Sequence, residues 1–422
     1  MTIYKYPMIE WAKDLFPLCR SLTGKGTQKT LRYFKKINPE FKILAFKSGT
    51  KVFDWIIPDE WNIVDAYIKH ESGKKYCNFK KSNLHVVGYS TPINKILNKK
   101  QLLKYIYTEK KQPNSIPYVT SYYKKRWGFC MTENERKKLP AGKYTAYINS
   151  SLKKGVMELM DAKINGRNKK EIFFSSYVCH PSMANNELSG PVLLNALLMY
   201  VKKAYPKSNY SYRFVLLPET IGSITYINKN LNNLKKNVVC GFNLTCVGDE
   251  RAYSYVSSKN ENTLADEAIN ASLINKKKVN RYSFKDRGSD ERQYCSPKVN
   301  LPLVAFSKSK DYPEYHTNKD DFKLVTSKGL QESFEVIKDI IDVFEYCLYP
   351  KTNFFCEPNM GKRDLYPTLS KKFSYADSHI RMDIIAFSDG KTSLFKIAEL
   401  INKPLKKVLE ECKILKRNKI IS

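Results

Sequence analysis

Residues 171–205, EIFFSSYVCHPSMANNELSGPVLLNALLMYVKKAY, decide the architecture. A run of β-type residues with little polar alternation, EIFFSSYVC, reads as a strand buried on both faces. The polar turn that follows leads through Gly190 into an apolar helix. The same pattern recurs downstream. SYRFVLLPE (211–219) reads as a strand, ITYINKNLNNL (224–234) as a helix and VVCGFNLTCVG (238–248) as a strand, followed by a helix near 263–277, a strand LPLVAFSK (301–308) and a long helix over 330–349. Such alternation predicts an α/β domain whose sheet is covered by helices on both faces. In open α/β sheets the reactive groups gather just beyond the strand ends. His180, Glu219, Asp249 and His316 all follow strand-like runs in this way.

Upstream, MIEWAKDLFPLCRSL (8–22) and TQKTLRYFKKIN (27–38) read as helices broken at Gly24 and Gly26, and FKILAFKSG (41–49) reads as a strand. Between Trp55 and about residue 159 the character changes to prolines, aromatics and short β-type runs, as in SNLHVVGYSTP (82–92) and IPYVTSYYKKRWGFCM (116–131), which predicts an inserted β-rich domain. The division expected is therefore 1–54 with 160–350 for the α/β domain, 55–159 for the insertion and 370–422 for a terminal unit. The connector FFCEPNMGKRDLYPTLS (354–370) joins the last two, and residues 393–421 carry two amphipathic helices in helix-turn-helix order.

The chain has 422 residues, a formal net charge of +32 and ten cysteines without a CxxC pair. The lysines run along the whole length beside many Asn, Ile and Tyr, a compositional bias rather than a nucleic-acid stripe. The cysteines read as reduced and mostly buried, which suits a cytoplasmic protein. The start lacks the pattern of a secretory signal, and no stretch is long and apolar enough for a membrane span. Trp11, Trp55, Trp61 and Trp127 read as core or interface residues. GxSxG is absent, and Cys179 reads as a buried strand residue rather than a nucleophile.

A hydrolytic zinc site needs imidazole and carboxylate ligands, an open position and a nearby base. Taken singly, His180 or His316 reads as a hydrogen-bonded structural histidine, Glu219 as a neighbour of a helix start, Asp249 and Glu250 as a solvated turn, and Asp290 and Glu291 as helix-capping acids. Arg292 is a candidate for gripping a substrate carboxylate. Convergence favours a site, because the chain has only five histidines and two of them end strands of the α/β domain.

RSLTGKGTQKTL, SNLHVVGYSTPI, IPYVTSYYKKRWGFC, YVCHPSMANNELSGP, LPETIGS, LTCVGD, GSDERQYCSP and PEYHTNKDDF together resemble a family of bacterial aminopeptidase-like proteins often encoded beside polysaccharide biosynthesis genes. The resemblance runs through nearly the whole chain. It implies a zinc-aminopeptidase-like mixed sheet covered by helices, an inserted β-rich domain and a C-terminal winged helix. It also implies that His180, Glu219 and His316 match metal-site positions of the two-zinc aminopeptidases. Where those enzymes carry a bridging Asp, this chain has Asn186 followed by Glu187, and only Glu219 stands where two acids are expected. The resulting expectation is one zinc ion held by His180, Glu187 and His316, with Glu219 as the base that takes a proton from water. Asp249, Asp290, Glu291 and Arg292 are further candidates for metal or substrate. The expected substrate is a small peptide-like or amide-bearing molecule. The alternative is a non-catalytic regulator or scaffold whose winged helix binds DNA or a protein, and self-association is compatible with either.

Overall fold

The computed structural model describes residues 4–366 and 376–422. Residues 370–375, where the terminal unit was expected to begin, lie outside them, as does the end of the 354–370 connector. The chain opens with helices α1 (Met8–Leu15) and α2 (Lys25–Ile37), strand β1 (Lys42–Lys47) and the small hairpin β2 (Lys51–Val52) and β3 (Trp55–Ile56). Next come β4 (Glu60–His70), β5 (Lys75–Tyr76), β6 (Ile93–Asn98), α3 (Lys99–Leu102), β7 (Ile106–Tyr107), β8 (Phe129–Cys130), α4 (Glu133–Lys137) and β9 (Lys143–Lys153). Strands β5, β4, β9 and β6 form one four-stranded antiparallel sheet. Its inner face packs Ala66, Ile68, Tyr144, Ala146 and Ile148 with Phe129 of β8 into a core of its own.

The remainder is α/β: β10 (Val156–Ile164), β11 (Glu171–Tyr177), α5 (Ser189–Ala204), β12 (Ser211–Leu217), α6 (Ile221–Asn237), β13 (Val238–Leu244), β14 (Tyr253–Val256), α7 (Leu264–Leu273), β15 (Val279–Tyr282), α8 (Glu291–Tyr294), β16 (Leu303–Ser307) and α9 (Ser327–Tyr346). The main sheet has eight strands in the order β1-β10-β12-β11-β13-β16-β14-β15. Its centre, β12-β11-β13-β16, is parallel, while β1, β10 and β14 run antiparallel to their inner neighbours. Every residue of β11 and β12 is buried, as uninterrupted apolar runs in a parallel sheet require. One face packs against α1, α2, α5, α7 and α9 and the other against α6 and α8. β11 is flanked by β12 on one side and β13 on the other, so the chain reverses direction across the sheet there. A crevice opens at such a reversal, beyond the strand C-termini.

The C-terminal helices α10 (Ala376–Ala386), α11 (Leu394–Leu400) and α12 (Leu405–Arg417) close the chain. Lys351 bridges Asp389 and Thr352 bridges Ile421, which completes the small β element beside these helices. Their apolar faces, with Leu394, Phe395, Val408, Leu409 and Cys412, belong to the same buried cluster as Phe334, Ile340 and Phe344 of α9. Three features depart from the sequence reading. β10 lies in the main sheet, although its residues 156–159 fall within the stretch assigned to the insertion. Short edge strands β14 and β15 widen the sheet where no strand was expected. Trp55 is 37% exposed rather than packed in a core or interface, unlike Trp11 and Trp61. Among the described residues no helix is long and apolar enough to cross a membrane, and all ten cysteines are free.

Candidate active site

His180 stands three residues beyond β11, and its imidazole is held from two sides. Nδ1–H donates to Glu187 Oε2 at 2.9 Å, and Nε2 lies 3.7 Å from Glu219 Oε2. Glu187 belongs to a single wide helical turn, Ala184–Leu188, that precedes α5. The chain can turn so tightly because Gly190 lets α5 approach β13: a Cβ there would lie 2.3 Å from both Leu244 O and Ser176 Oγ. The turn is pinned by Asp320, whose carboxylate accepts the amides of Asn185 (2.6 Å) and Asn186 (2.9 Å) and the Tyr312 hydroxyl (2.8 Å). Burial pushes the Asp320 carboxyl up to about 6, against the pull of these donors.

Behind Glu187 sits Arg20, from the loop after α1, with no exposed side-chain surface. Its Nε lies 3.3 Å from Glu187 Oε1 and donates to the His180 carbonyl at 3.0 Å. Burial lowers the guanidinium's pKa against the pull of the Glu187 charge, and raises that of Glu187 against the His180 bond and charge and then the Arg20 charge. Burial also works against protonation of His180, but the bond and charge of Glu187, with Glu219 behind them, leave its pKa raised.

Glu219 projects from the end of β12 because Thr220 adopts φ 65°, a left-handed conformation strained for a β-branched residue. Asp290 holds Thr220 there by accepting its N–H at 2.8 Å and the Ser223 hydroxyl at 2.7 Å. Burial, with the Glu219 charge adding, pushes the Asp290 carboxyl up to about 7, and its Oδ2 is buried without a partner. His316 also has a positive φ, 56°. Its ring stacks on Tyr315 at 3.9 Å between centroids and stands 5.5 Å from the His180 ring. Its Nε2 is buried without a partner. Burial, then the neighbouring His180, lowers its pKa to about 3, so the imidazole is neutral at physiological pH.

Tyr118, from the insertion, packs edge-on against both His180 and His316 at 5.2 Å, and its hydroxyl meets that of Tyr122. Its N–H donates to the His316 carbonyl at 2.8 Å, within a short antiparallel pairing of residues 116–118 with 316–318. Two recesses meet at Glu219. A cavity of 500 Å³ is lined by Tyr177, Asn186, Glu219, Glu291, Tyr312 and Tyr315 among others. A smaller one of 210 Å³ includes Trp55, Tyr122, Tyr123, His180 and Glu219.

The structure thus brings His180, Glu187, Glu219 and His316 together. Glu187, expected as a ligand, lies on the Nδ1 side of His180, away from Glu219. Asp249 is not brought to the imidazoles: its carboxylate is taken by Asn185 Nδ2, Arg251 N and the N–H and hydroxyl of Ser309, so it braces the loop. Glu291 caps the amides of Gly288 and Ser289 and accepts Asn243 Nδ2 at the wall of the larger cavity. Arg292 is exposed and donates to Thr220 Oγ1 at 3.1 Å. Arg20, Tyr118 and Asp320 escaped the sequence reading, although each lies in a string that carried the resemblance.

The chemistry of the donors fits a zinc-type cation on the Nε2 side of His180, where Glu219 Oε2 stands 3.7 Å from that nitrogen and the neutral His316 ring lies 5.5 Å from the His180 ring. Among the described residues, the group whose potential ligand atoms all lie within 4.8 Å of one another is a different one, Cys179, His180 and Glu187. It is the poorer host. Burial pushes the Cys179 thiol far up, and the Arg20 guanidinium already neutralises Glu187.

Residues 9–346 match a family described as a domain of unknown function (DUF4910), and residues 348–422 match a winged helix-turn-helix model. A Clostridium acetobutylicum protein, named as a candidate polysaccharide biosynthesis protein with aminopeptidase-like domain, is 39% identical over 397 residues, 93% of this chain and 90% of that protein. The crystal structure of a candidate peptidase from Clostridium acetobutylicum is similar with a TM-score of 0.89 at 35% identity, covering 98% of this chain and 95% of the other. A zinc aminopeptidase from Bacillus subtilis shares the fold, with a TM-score of 0.57 at 11% identity over 81% of this chain and 95% of its own. The chain belongs to the first of these families, with an aminopeptidase-like mixed α/β domain and a winged helix at its C-terminal end.

Proposed function

We propose, with membership of that family as the premise, that this chain is a single-metal hydrolase of a peptide or amide bond. A zinc-type cation is held by His180 Nε2, His316 Nε2 and the Glu219 carboxylate. The observation that carries this reading is His316 Nε2, a buried, neutral, unpartnered imidazole nitrogen beside a second imidazole. With their rings 5.5 Å apart, His180 and His316 would be the two imidazole ligands of one such cation. Glu187 then acts behind His180, as carboxylates behind ligating histidines do, fixing the tautomer and the ring orientation. This departs from the expectation that Glu187 itself is a ligand. Asn186, in place of a bridging acid, argues against a second ion.

When bound, the cation supplies Lewis acidity toward the scissile carbonyl and lowers the pKa of water. The protein's own part is positional. Glu219 faces both recesses, and its carboxylate is placed to take a proton from water. The larger cavity holds one half of the substrate and excludes solvent. The relative's name supports an amide in polysaccharide assembly as the substrate, and the unpaired cysteines support a reducing, cytoplasmic compartment.

A DNA-reading role for the winged helix has less support. Lys413 and Lys416 of α12 turn onto the Tyr346 ring of α9, and Lys407 pairs with Asp377 and Glu411. The test is metal content. Purified protein is expected to hold close to one zinc per chain by mass spectrometry, and His180→Ala and His316→Ala are expected to lose it. Protein without zinc that gains no thermal stability on zinc addition would end this reading.

A further inference from the structure

We propose that the groove between the β2–β3 hairpin and residues 121–125 is a binding site for an anionic sugar, which delivers its amide to Glu219 from the side opposite the 500 Å³ cavity. The proposal rests on the hydrolase reading for its purpose but not for its measurement. The 210 Å³ recess at His180 and Glu219 adjoins another of 240 Å³, and the two share Tyr122 and Tyr123. The second continues past Pro58 and Asp59 to Lys124, Lys125 and Lys154 at the surface. Shaped recesses on both sides of one carboxylate mean that both halves of the substrate are recognised. An enzyme that trims a single terminal residue needs only one such pocket.

The aromatic walls are left uncovered. Trp55 is 37% and Tyr123 55% exposed, and the rings meet edge to face with centroids 5.6 Å apart. Phe53 and Ile56 of the same hairpin are 48% and 57% exposed. Large apolar side chains left in water beside a reactive centre mark a ligand surface. An indole and a phenol at a corner offer flat faces to the C–H faces of a pyranose ring, and their polar tips suit its hydroxyls. The charge at the mouth selects further. Asp59 pairs with Lys154 at 2.8 Å, whereas Lys124 and Lys125 have no carboxylate partner among the described residues. Two unneutralised ammonium groups beside a sugar platform fit a carboxylate or phosphate substituent.

Isothermal titration of the full chain with trigalacturonate and with glucose 6-phosphate separates the carboxylate and phosphate forms of this chemistry. Saturable binding of either probe is expected. It should weaken about tenfold or more in Tyr123→Ala and in Lys124→Ala/Lys125→Ala, the equivalent of about 1.4 kcal/mol. Trp55→Phe, which keeps a ring, and Lys35→Ala/Lys36→Ala on distant α2 should stay within about threefold of the parent. Because the chain is so basic, the α2 pair reports unspecific attraction. The proposal is overturned if neither probe saturates, if maltotriose or hexaglutamate binds as tightly, or if the α2 pair weakens binding as much as the groove pair. Zinc content measured on the same preparations keeps the two ideas apart. Removal of the metal from the parent protein by a chelator should leave sugar binding in place, and absent sugar binding in a zinc-loaded protein would sink the groove alone.

Discussion

Glu187→Gln separates a ligand from an orienting group, because Glu187 faces a buried cation on one oxygen and an imidazole on the other. The Arg20 and Glu187 side chains are wholly buried, and both titrate abnormally toward their neutral forms, so the pair costs more in lost hydration than its attraction returns. Removing the negative partner strands a guanidinium whose Nη2 already lacks an acceptor, at a cost of about 3–5 kcal/mol of stability. A glutamine can still accept from His180 Nδ1–H but without charge, so zinc affinity should fall about 10–100-fold rather than vanish. Urea unfolding in chelator gives the stability of the metal-free chain, and competition with a chromophoric chelator gives the affinity. The double variant Arg20→Met/Glu187→Gln should regain at least half of the lost stability, although the His180 and Leu15 carbonyls lose a donor, while its zinc affinity stays low. A Glu187→Gln protein within about 1 kcal/mol of the parent and with unchanged zinc affinity would refute this reasoning. So would a double variant no more stable than the single one.

Two further outcomes follow from the packing. Glu171 at the start of β11 is fully buried and bound by Arg213 Nε at 2.6 Å, Arg213 Nη2 at 3.0 Å and Lys163 at 2.5 Å. Burial raises its pKa, but these donors outweigh burial and hold it below the usual carboxylate value. The ion pair's contribution is therefore complete above about pH 4.3 and is lost as pH falls toward the lower folded value, so Glu171→Gln should cost about 3 kcal/mol at neutral pH and flatten the acid limb of stability against pH. Equal losses at pH 7 and pH 3 would contradict it. Leu409→Ala, in the buried face of α12, should cost about 2–5 kcal/mol and leave one unfolding transition by calorimetry, since α12 shares its apolar cluster with α9. A separate low-temperature transition for residues 376–422 would show the terminal unit to be independent.

The sequence foretold the parts of the fold that repeat a pattern. Buried strands β11, β12, β13 and β16 each read as an apolar run, and His180 and Glu219 lie where such runs end. Short strands such as β14 (YSYV) and β15 (VNRY) carry too little periodicity to stand out. Groups that act by burial rather than by position were also missed. Arg20 is one arginine among 73 basic residues, and nothing local marks it as wholly buried. Asp320 lies in HTNKDD beside another acid, and only the folded chain shows which one caps the Asn185 turn. Trp55 misled in the opposite sense, since a tryptophan is ordinarily core and this one faces water at a groove.

The placement of Tyr118 explains why the inserted sheet cannot be a detachable ornament. Residues 116–118 pair with 316–318, so the insertion supplies the backbone partner that fixes the His316 loop. The Tyr118 ring fills the angle between His180 and His316, and without it both imidazoles would face open space and lose their common orientation. Two non-glycine residues at positive φ, Thr220 and His316, flank the same point, at a cost of about 1–3 kcal/mol each. Such strain persists only where surrounding contacts over-determine it. Here they come from three distant parts of the chain: Asp290 for Thr220, Tyr118 for His316, and Arg20 through Glu187 for His180. The site therefore forms only when the N-terminal loop, the insertion and the α/β sheet have all assembled. A partly folded chain could not keep the two imidazoles side by side.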